Sequence, residues 1–393
     1  MKQKLKVIHI EHCSHSYFVS SDKNLDEVVK GSWGTQVARE VKRFYPDIEV
    51  ECWFPEKIEK KKRIFEYSNM KMKIFPTTFS PMYALDFSLQ MINSLKKEIN
   101  KCKKENIKLI IHIHEYHNLH GLIIARLFKK QKMIAQHHGG SWPLKHLKQT
   151  RKYLLFFPFF LIGQILEKMV LKNIKCFFVL SQEEMDYIRK TSPNSKVKFQ
   201  TMGIEEEYFK VINKQSARRK LKLQINKKIF IFIGRINKEK GIKYLLDAMK
   251  NLSNVDLKII GYTQSIDYFK EYSKKLKLKN VEFLGGVFGK KKMLYLSAAD
   301  ALILPSSKEG APVTIMEAFA RNLPVIVTNV GGIPLMVKDK RNGLIIKEKN
   351  SRDIVRAINE FIEKPLKNVK EYAKPYKWKR IIENIAKEYK NGN

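Results

Sequence analysis

Short apolar runs alternate with segments of helical spacing along the whole chain, and this alternation constrains the fold more than any other feature. Val7–Ile10, Leu109–His114, Met133–Gln136 and Cys176–Ser181 are such runs in the first half, and Ile229–Gly234, Leu257–Gly261, Val281–Gly285, Ala301–Leu304 and Pro324–Val327 in the second. Within each run the apolar residues are nearly continuous. This is the pattern of strands buried on both faces, as parallel strands are when helices cover the sheet. An α/β architecture with parallel sheets follows. In such sheets ligands gather at the carboxyl ends of the strands, where several of these runs end in Gly or His.

A chain of 393 residues is long enough for two domains, each with its own core. The polar, charged stretch from Met202 to Arg219 breaks the pattern before a new series of strands begins at Ile229. We therefore expect one Rossmann-like domain over 1–205 and a second over 206–372, facing a central cleft. Beyond them, 373–393 reads as a terminal amphipathic helix, because Trp378, Ile381, Ile382 and Ile385 fall at helical spacing.

The net charge is +37, from 76 basic and 39 acidic residues. Such a field favours anionic partners: nucleotides, phospholipid headgroups or nucleic acid. The lysines are spread along the chain instead of gathered in a tail, so a solvated basic surface accounts for them equally well, and nucleic acid is not an expected partner. The four cysteines form no Cys-x-x-Cys pair, which argues against a disulfide framework or zinc site and for a reducing, cytoplasmic setting. The N-terminus enters a strand-like run directly, without the pattern of a signal peptide.

The longest apolar stretch, Tyr153–Leu166, is shorter than the ~20 residues that span a bilayer and contains Pro158 and Gly163. It reads either as a buried helix or as one lying at a membrane surface. The basic clusters Lys57–Arg63, Lys101–Lys104 and Lys129–Lys132 lie in the same half of the chain. A peripheral contact with an anionic membrane and ordinary solvated lysine faces both fit them.

All ten histidines lie between His9 and His146, near the ends of the first-half strands. His9, His12, Cys13 and His15 form one group, and His114, His117 and His120 another. Neither has a clean metal spacing: His114-Glu115-Tyr116-His117 is one residue short of His-Glu-x-x-His. We read these histidines as polar lining or core residues, with no metal site.

Two motifs in the second half carry the chemistry. Gly234 ends a strand, and Arg235 and Lys240 flank the turn that follows. A guanidinium fork and an ammonium point charge there suit a diphosphate. The run Pro305–Ala320 leads from the Ala301–Leu304 strand into a helix, with Glu309 in the turn and Glu317 about one turn into the helix. Pro312 suits the first helical position, and amides near Val313 and Thr314 would face an anion. Glu317 could accept hydrogen bonds from ribose hydroxyls, and Glu309 from sugar hydroxyls. The plainer alternative makes Glu317 a dipole-compensating residue and Glu309 a surface one.

Taken in order, Gly234-Arg-x4-Lys240-Gly, Phe283-Leu-Gly285, Leu294-Tyr-x-Ser-Ala-Ala-Asp300, Pro305-Ser-x2-Glu309-Gly310-x6-Glu317-Ala, Pro324-Val-Ile-Val and Gly331-Gly-Ile-Pro resemble the group 1, family-four retaining glycosyltransferases of the GT-B fold. The likeness is strongest over 200–360. In the first half, Gly31-Ser-Trp-Gly34 is similar to that family's glycine loop before the first helix. His112-x-His114 is similar to its strand-end histidines, His137-His138-Gly139 to its His-Gly strand end, and Trp378 to the aromatic of its C-terminal helix, which crosses back to the first domain.

The resemblance implies that Arg235 and Lys240 bind and stabilise the leaving diphosphate. It further implies that Glu317 binds the ribose and Glu309 the transferred sugar, and that Gly310, Ala311, Pro312, Val313 and Thr314 offer the donor a backbone wall. Gly234 and Gly285 would border the donor, with the base near Gly285. His138 would lie near the donor sugar and the acceptor, and Gly31, Gly34 and His114 would belong to the acceptor side. It implies a nucleoside-diphosphate sugar as donor substrate, a glycan or lipid-linked acceptor, retention of configuration, and no required cofactor.

The chain departs from the family pattern twice. The loop after Leu257–Ile260 reads Gly261-Tyr262-Thr263 and is poorer in glycine, and Gly31 lies far beyond the first strand, leaving Glu11–Lys30 as a candidate acceptor-side lid. An epimerase or hydrolase of the same fold, and a non-catalytic basic membrane- or nucleic-acid-binding protein, are the alternatives from other classes.

Overall fold

The computed structural model describes residues 3–18, 24–139, 157–262 and 266–391. Two compact units emerge, Met1–Met202 with Ile381–Asn393, and Gly203–Arg380. Each is built on one sheet.

The first sheet contains β1 (Leu5–Glu11), β2 (Glu49–Glu56), β3 (Arg63–Tyr67), β4 (Met70–Pro76), β5 (Lys108–His114), β6 (Lys132–Gln136), β7 (Cys176–Val179) and β8 (Lys196–Phe199). Their order is β3-β4-β2-β1-β5-β6-β7-β8. Neighbouring strands are parallel except β3 and β4, which form an antiparallel edge pair. The second sheet contains β9 (Lys228–Ile233), β10 (Val255–Ile260), β11 (Val281–Gly285), β12 (Ala301–Leu304), β13 (Val325–Thr328) and β14 (Gly343–Ile346). It is parallel throughout, in the order β11-β10-β9-β12-β13-β14.

Each sheet grows from its middle. The chain lays down strands to one side of β1, then returns to place β5 on the other side. In the second sheet β9 and β12 stand in the same relation. These two gaps are topological switch points, where loops leaving adjacent strands diverge and open a crevice at the carboxyl ends.

The nine apolar runs of the sequence all become strands, but β2, β3, β4, β8 and β14 carry no such signal. In β2, buried Glu51 interrupts the apolar pattern, and its charge is met by Lys6 at 2.8 Å, Lys73 at 2.6 Å and the Trp53 indole at 2.7 Å. A buried charge of this kind requires partners, and here two of them come from β1 and β4, distant in sequence.

The last helix is Trp378–Lys390, preceded by a 3-10 run over Val369–Tyr376, so the helix begins later than 373. Residues from Ile381 onward belong to the first unit, where Ile381, Ile382, Ile385 and Tyr389 are buried. Trp378 belongs to the second unit and covers Gly203, where a Cβ would lie 2.3 Å from the indole.

The apolar stretch forms a helix over Phe157–Val170, while Tyr153–Phe156 lie outside the described residues. No helix among the described residues is long and apolar enough to cross a membrane. Of the Glu11–Lys30 segment, Leu25–Lys30 is a short helix capped by Asn24, and residues 19–23 lie outside the described residues.

Candidate functional site

At the switch point of the second sheet, three strand-end loops are tied together. After β9, Asn237 closes a 3-10 turn by accepting the Lys240 amide at 3.1 Å. Gly241 then adopts φ +70°, with its Cα so close to the next loop that a Cβ would sit 2.0 Å from the Pro305 carbonyl oxygen. The Ser307 amide donates to the Glu239 carbonyl at 2.7 Å. After β13, Gly331 adopts φ +58°, and a Cβ there would lie 1.8 Å from the Glu309 carbonyl oxygen. The Gly332 amide donates to the Gly310 carbonyl at 2.7 Å. Only glycine tolerates this combination of positive φ and backbone contact.

The result is a fixed charge pair. Lys240 Nζ lies 2.6 Å from Glu309 Oε1, which also accepts from Ser306 Oγ at 2.7 Å. Both side chains are largely shielded from water. Arg235, by contrast, is exposed and makes no ion pair among the described residues. The fold thus brings Arg235, Lys240 and Glu309 to one switch point and assigns Glu309 a contact that the sequence reading did not foresee: it holds the lysine.

The following helix is Val313–Ala320. Pro312 is its N-cap, with ψ 116°, and not its first residue, which corrects the expected placement. The turn must still be extended at Pro312 to carry the chain into the helix. A proline cap has no side-chain acceptor, so the first helical amides remain uncapped beside the half-buried Gly310 and Ala311.

Glu317 lies buried in this helix and accepts from Lys292 Nζ at 2.7 Å through Oε1. Its Oε2 is enclosed without a well-formed hydrogen bond. Tyr208 stands alongside, and burial followed by the Glu317 carboxylate pushes its phenol well above the ordinary range. Lys292 also lies 5.6 Å over the Tyr208 ring. Sequence reasoning missed Lys292: the run Lys290–Lys292 is visible, but nothing in it says which lysine turns inward. At the edge of this crevice Gly285 has φ +69° and open space where a Cβ would be. Nearby, Tyr262 and Phe288 are exposed, with Phe288 3.0 Å from the Cβ position of Gly286.

The switch point of the first sheet is filled differently. Register pairs His9 with His112 and Glu11 with His114 across β1 and β5. His9 Nδ1 meets His114 Nε2 at 2.8 Å, and His114 Nδ1 meets His138 Nε2 at 2.8 Å. Tyr389 closes the inner end, its hydroxyl 2.6 Å from His112 Nδ1 and 3.5 Å from His9 Nε2. Burial pushes every imidazole in this row down, His138 to about 4 and His9, His112 and His114 well below the ordinary range. The row is therefore neutral at pH 7. Trp33 stands edge-on to His138 with the rings 5.3 Å apart.

Gly34 lies in the first turn of the helix Trp33–Phe44, capped by Ser32, and not in a loop before it. Its amide donates to Glu11 Oε1 at 2.9 Å, and a Cβ there would lie 2.3 Å from that oxygen and 2.8 Å from the His114 ring. Gly31 ends the preceding helix at φ −84°, and its Cβ position meets only ordinary contacts, so that position makes no demand for glycine.

A second network surrounds Glu115, itself at φ +69°. Burial would raise its carboxyl, but His137, His117, His12 and His138 bring it down to about 2. His137 also reaches Glu184 at 2.5 Å, and His117 reaches Glu167 at 2.9 Å. The histidine groups suggested by sequence spacing are therefore not those the fold assembles, which are His9, His112 and His114, and Glu115, His117 and His137. Within these groups His9 Nδ1 meets His114 Nε2, His112 Nδ1 meets Tyr389, and His117 and His137 meet the carboxylates of Glu167 and Glu184, while His112 Nε2 has no hydrogen-bond partner among the described residues.

Comparison with known proteins finds likenesses to one family. Residues 213–379 match the model of the glycosyl transferases of group 1. An uncharacterized glycosyltransferase of Methanocaldococcus jannaschii is 32% identical over 216 residues, 51% of this chain and 54% of that protein. The chain spans about half the length of the curated relatives it matches first. Sucrose-phosphate synthase from Thermosynechococcus elongatus has a similar fold, with a TM-score of 0.70 at 18% identity over 98% of both chains. The HepE protein of Anabaena, solved with UDP and glucose, has a TM-score of 0.62 at 15% identity, over 97% of this chain and 98% of that one.

Proposed function

We propose that this chain, which belongs to the glycosyl transferases of group 1, moves a sugar from a nucleoside-diphosphate sugar to a hydroxyl acceptor. The observation that carries the proposal is the charge arrangement at the β9/β12 switch point: a free Arg235, a Lys240 held by Glu309, and an uncapped helix end. That the Anabaena protein was solved with UDP and glucose supports the donor class.

In this reading the bond from the sugar's anomeric carbon to the diphosphate oxygen breaks, negative charge develops on the leaving diphosphate, and the acceptor oxygen bonds to that carbon as its hydroxyl proton passes to the diphosphate. Arg235 binds its oxygens in a fork, while Lys240, already fixed by Glu309, supplies charge without reorganising. The amides of Val313 and Thr314 add the helix end. Glu317, held by Lys292 through Oε1, is the group that takes the ribose. Gly234 and Gly285 let the ligand approach the backbone, and the exposed Tyr262 and Phe288 offer faces for the base. His138, neutral at pH 7, contributes a hydrogen bond and no charge. Gly31, Gly34 and His114 belong to the acceptor side, with Gly34 and His114 supporting the histidine row. Retention of configuration, a glycan or lipid-linked acceptor, and a peripheral contact with an anionic membrane belong to the same proposal.

The test is thermal shift with a panel of nucleoside diphosphates, followed by donor turnover with and without acceptor. A specific upward shift that Arg235→Ala removes supports the donor site. Absence of any shift, with tight salt-dependent nucleic-acid binding in its place, overturns it. Turnover that never needs an acceptor points to a hydrolase.

A further inference from the structure

The helix Phe157–Val170 is built inside out. Its buried positions are Phe160, Gly163, Glu167 and Val170, spaced at three and four residues on one face. That face carries the helix's one acidic residue: Glu167 is buried and accepts hydrogen bonds from Tyr187 at 2.6 Å and His117 at 2.9 Å, while Gln164 and Lys168 are exposed. On the opposite face Leu161, Ile162, Ile165 and Met169 are 47%, 54%, 54% and 51% exposed. A water-facing helix ordinarily turns polar residues outward.

The two helix ends beside this face are basic. The helix packs on Leu119–Leu127, and Asn173 Nδ2 donates to the Ala125 carbonyl at 3.0 Å, so the C-terminal ends of the two helices adjoin. Exposed Arg126, Lys129 and Lys130 lie at the end of one helix, and exposed Lys168 and Lys172 at the end of the other, with Leu127 exposed among them. Within 119–132 and 157–175 the sole acidic side chain is Glu167, which faces inward. A helix of 14 residues is about 21 Å long, short of the ~30 Å of a bilayer's hydrocarbon.

We propose that this face inserts into the headgroup–acyl boundary of an anionic bilayer, with the helix lying in the membrane plane. Leu161, Ile162, Ile165 and Met169 enter the apolar layer, and the lysines and arginine at the helix ends meet acidic headgroups. The apolar stripe argues against a purely electrostatic surface, and the missing acidic residues argue against a second copy of this strongly basic chain. The inference rests on the proposed function only in that a lipid-linked acceptor would lie in the same bilayer.

The experiment is flotation of the full chain with vesicles of equimolar phosphatidylglycerol and phosphatidylethanolamine, beside vesicles of phosphatidylcholine alone. We expect binding to the anionic vesicles that drops about tenfold in Ile162→Glu/Ile165→Glu and weakens with salt. Both substituted positions are exposed, and an unchanged melting temperature confirms that the variant is folded. Three results overturn the proposal: no binding to anionic vesicles, binding that the double variant leaves unchanged, or a dimer in solution that the double variant dissociates. Nucleoside-diphosphate thermal shift on the same samples separates a failure of this proposal from a failure of the donor site.

Discussion

The two sheets place their switch points alike and fill them in opposite ways. Between β1 and β5 the polar groups are neutral rings spent on one another, from Tyr389 through His9 and His114 to His138. Between β9 and β12 they are full charges, with Lys240 tied to Glu309 and Arg235 left to solvent. A crevice lined by neutral rings can offer directional hydrogen bonds but little field, while fixed charges can stabilise an anion as it forms. The second arrangement suits a leaving phosphate and the first a hydroxyl whose orientation matters.

The sharpest way to break this comparison is acid. His9, His12, His112 and His114 are pushed down by burial, and His120 and His138 reach about 4. Where the folded pKa is depressed, the unfolded chain takes up protons first. Stability is then complete above ~6.5 and falls as pH drops toward 4, with a slope of about 1.4 kcal/mol per pH unit for each such histidine. His117 runs the other way, since Glu167 raises it against burial. Glu115 adds a loss below ~4.5, as its carboxyl must be protonated near 2. The second unit contains no histidine. Hydrogen exchange between pH 7 and 4.5 should therefore show the first unit opening while strands β9–β14 stay protected. Equal loss of protection in both units would refute the contrast.

Next in size is the charge itself. Arg235→Ala should lower kcat/KM about a hundredfold, roughly 2.7 kcal/mol of lost transition-state stabilisation. Because Arg235 is exposed, its melting temperature in the absence of nucleotide should not change. A variant with full activity would show that Lys240 and the helix end suffice.

Two glycines sharpen the other side. Gly34→Ala forces a Cβ against Glu11 and His114, where the nearest atoms would be 2.3 and 2.8 Å away, and should cost about 1–3 kcal/mol in stability. Gly31→Ala, at φ −84° with only ordinary contacts, should be within about 0.5 kcal/mol of neutral. Denaturant melts of the pair decide it.

This difference also marks what the sequence could and could not convey. Gly31 and Gly34 read alike as a loop, because spacing does not reveal that one ends a helix and the other lies under a carboxylate. The strands at both switch points were legible, since their apolar runs are local. That Arg235, Lys240 and Glu309 stand on strand-end turns was legible because the turn residues around them are local too. What stayed hidden came from across the fold: Lys292 turning to Glu317, Tyr389 entering the histidine row from the last helix, and strand β2, whose buried Glu51 is met by Lys6 of β1 and Lys73 of β4.

The finest test concerns the direction of the histidine row. A neutral imidazole has one N–H, so each ring in the row can donate from one nitrogen only. If Tyr389 donates to His9 Nε2, His9 donates from Nδ1 to His114, and His114 from Nδ1 to His138. His138 then holds its own proton on Nδ1, facing away from the row. His112 donates to the phenol oxygen, and its buried Nε2, which has no partner among the described residues, is a bare lone pair. The reverse direction would leave a buried N–H at that atom, the rarer and costlier orphan. Nitrogen-15 NMR should accordingly find His138 as the Nδ1–H tautomer. Tyr389→Phe removes the group that sets the direction, for about 1 kcal/mol of stability, and should leave His138 as a mixture of both tautomers. An Nε2–H tautomer in the unaltered protein, or an unchanged spectrum in the variant, would mean that the row does not orient His138 and that the two switch points differ in charge alone.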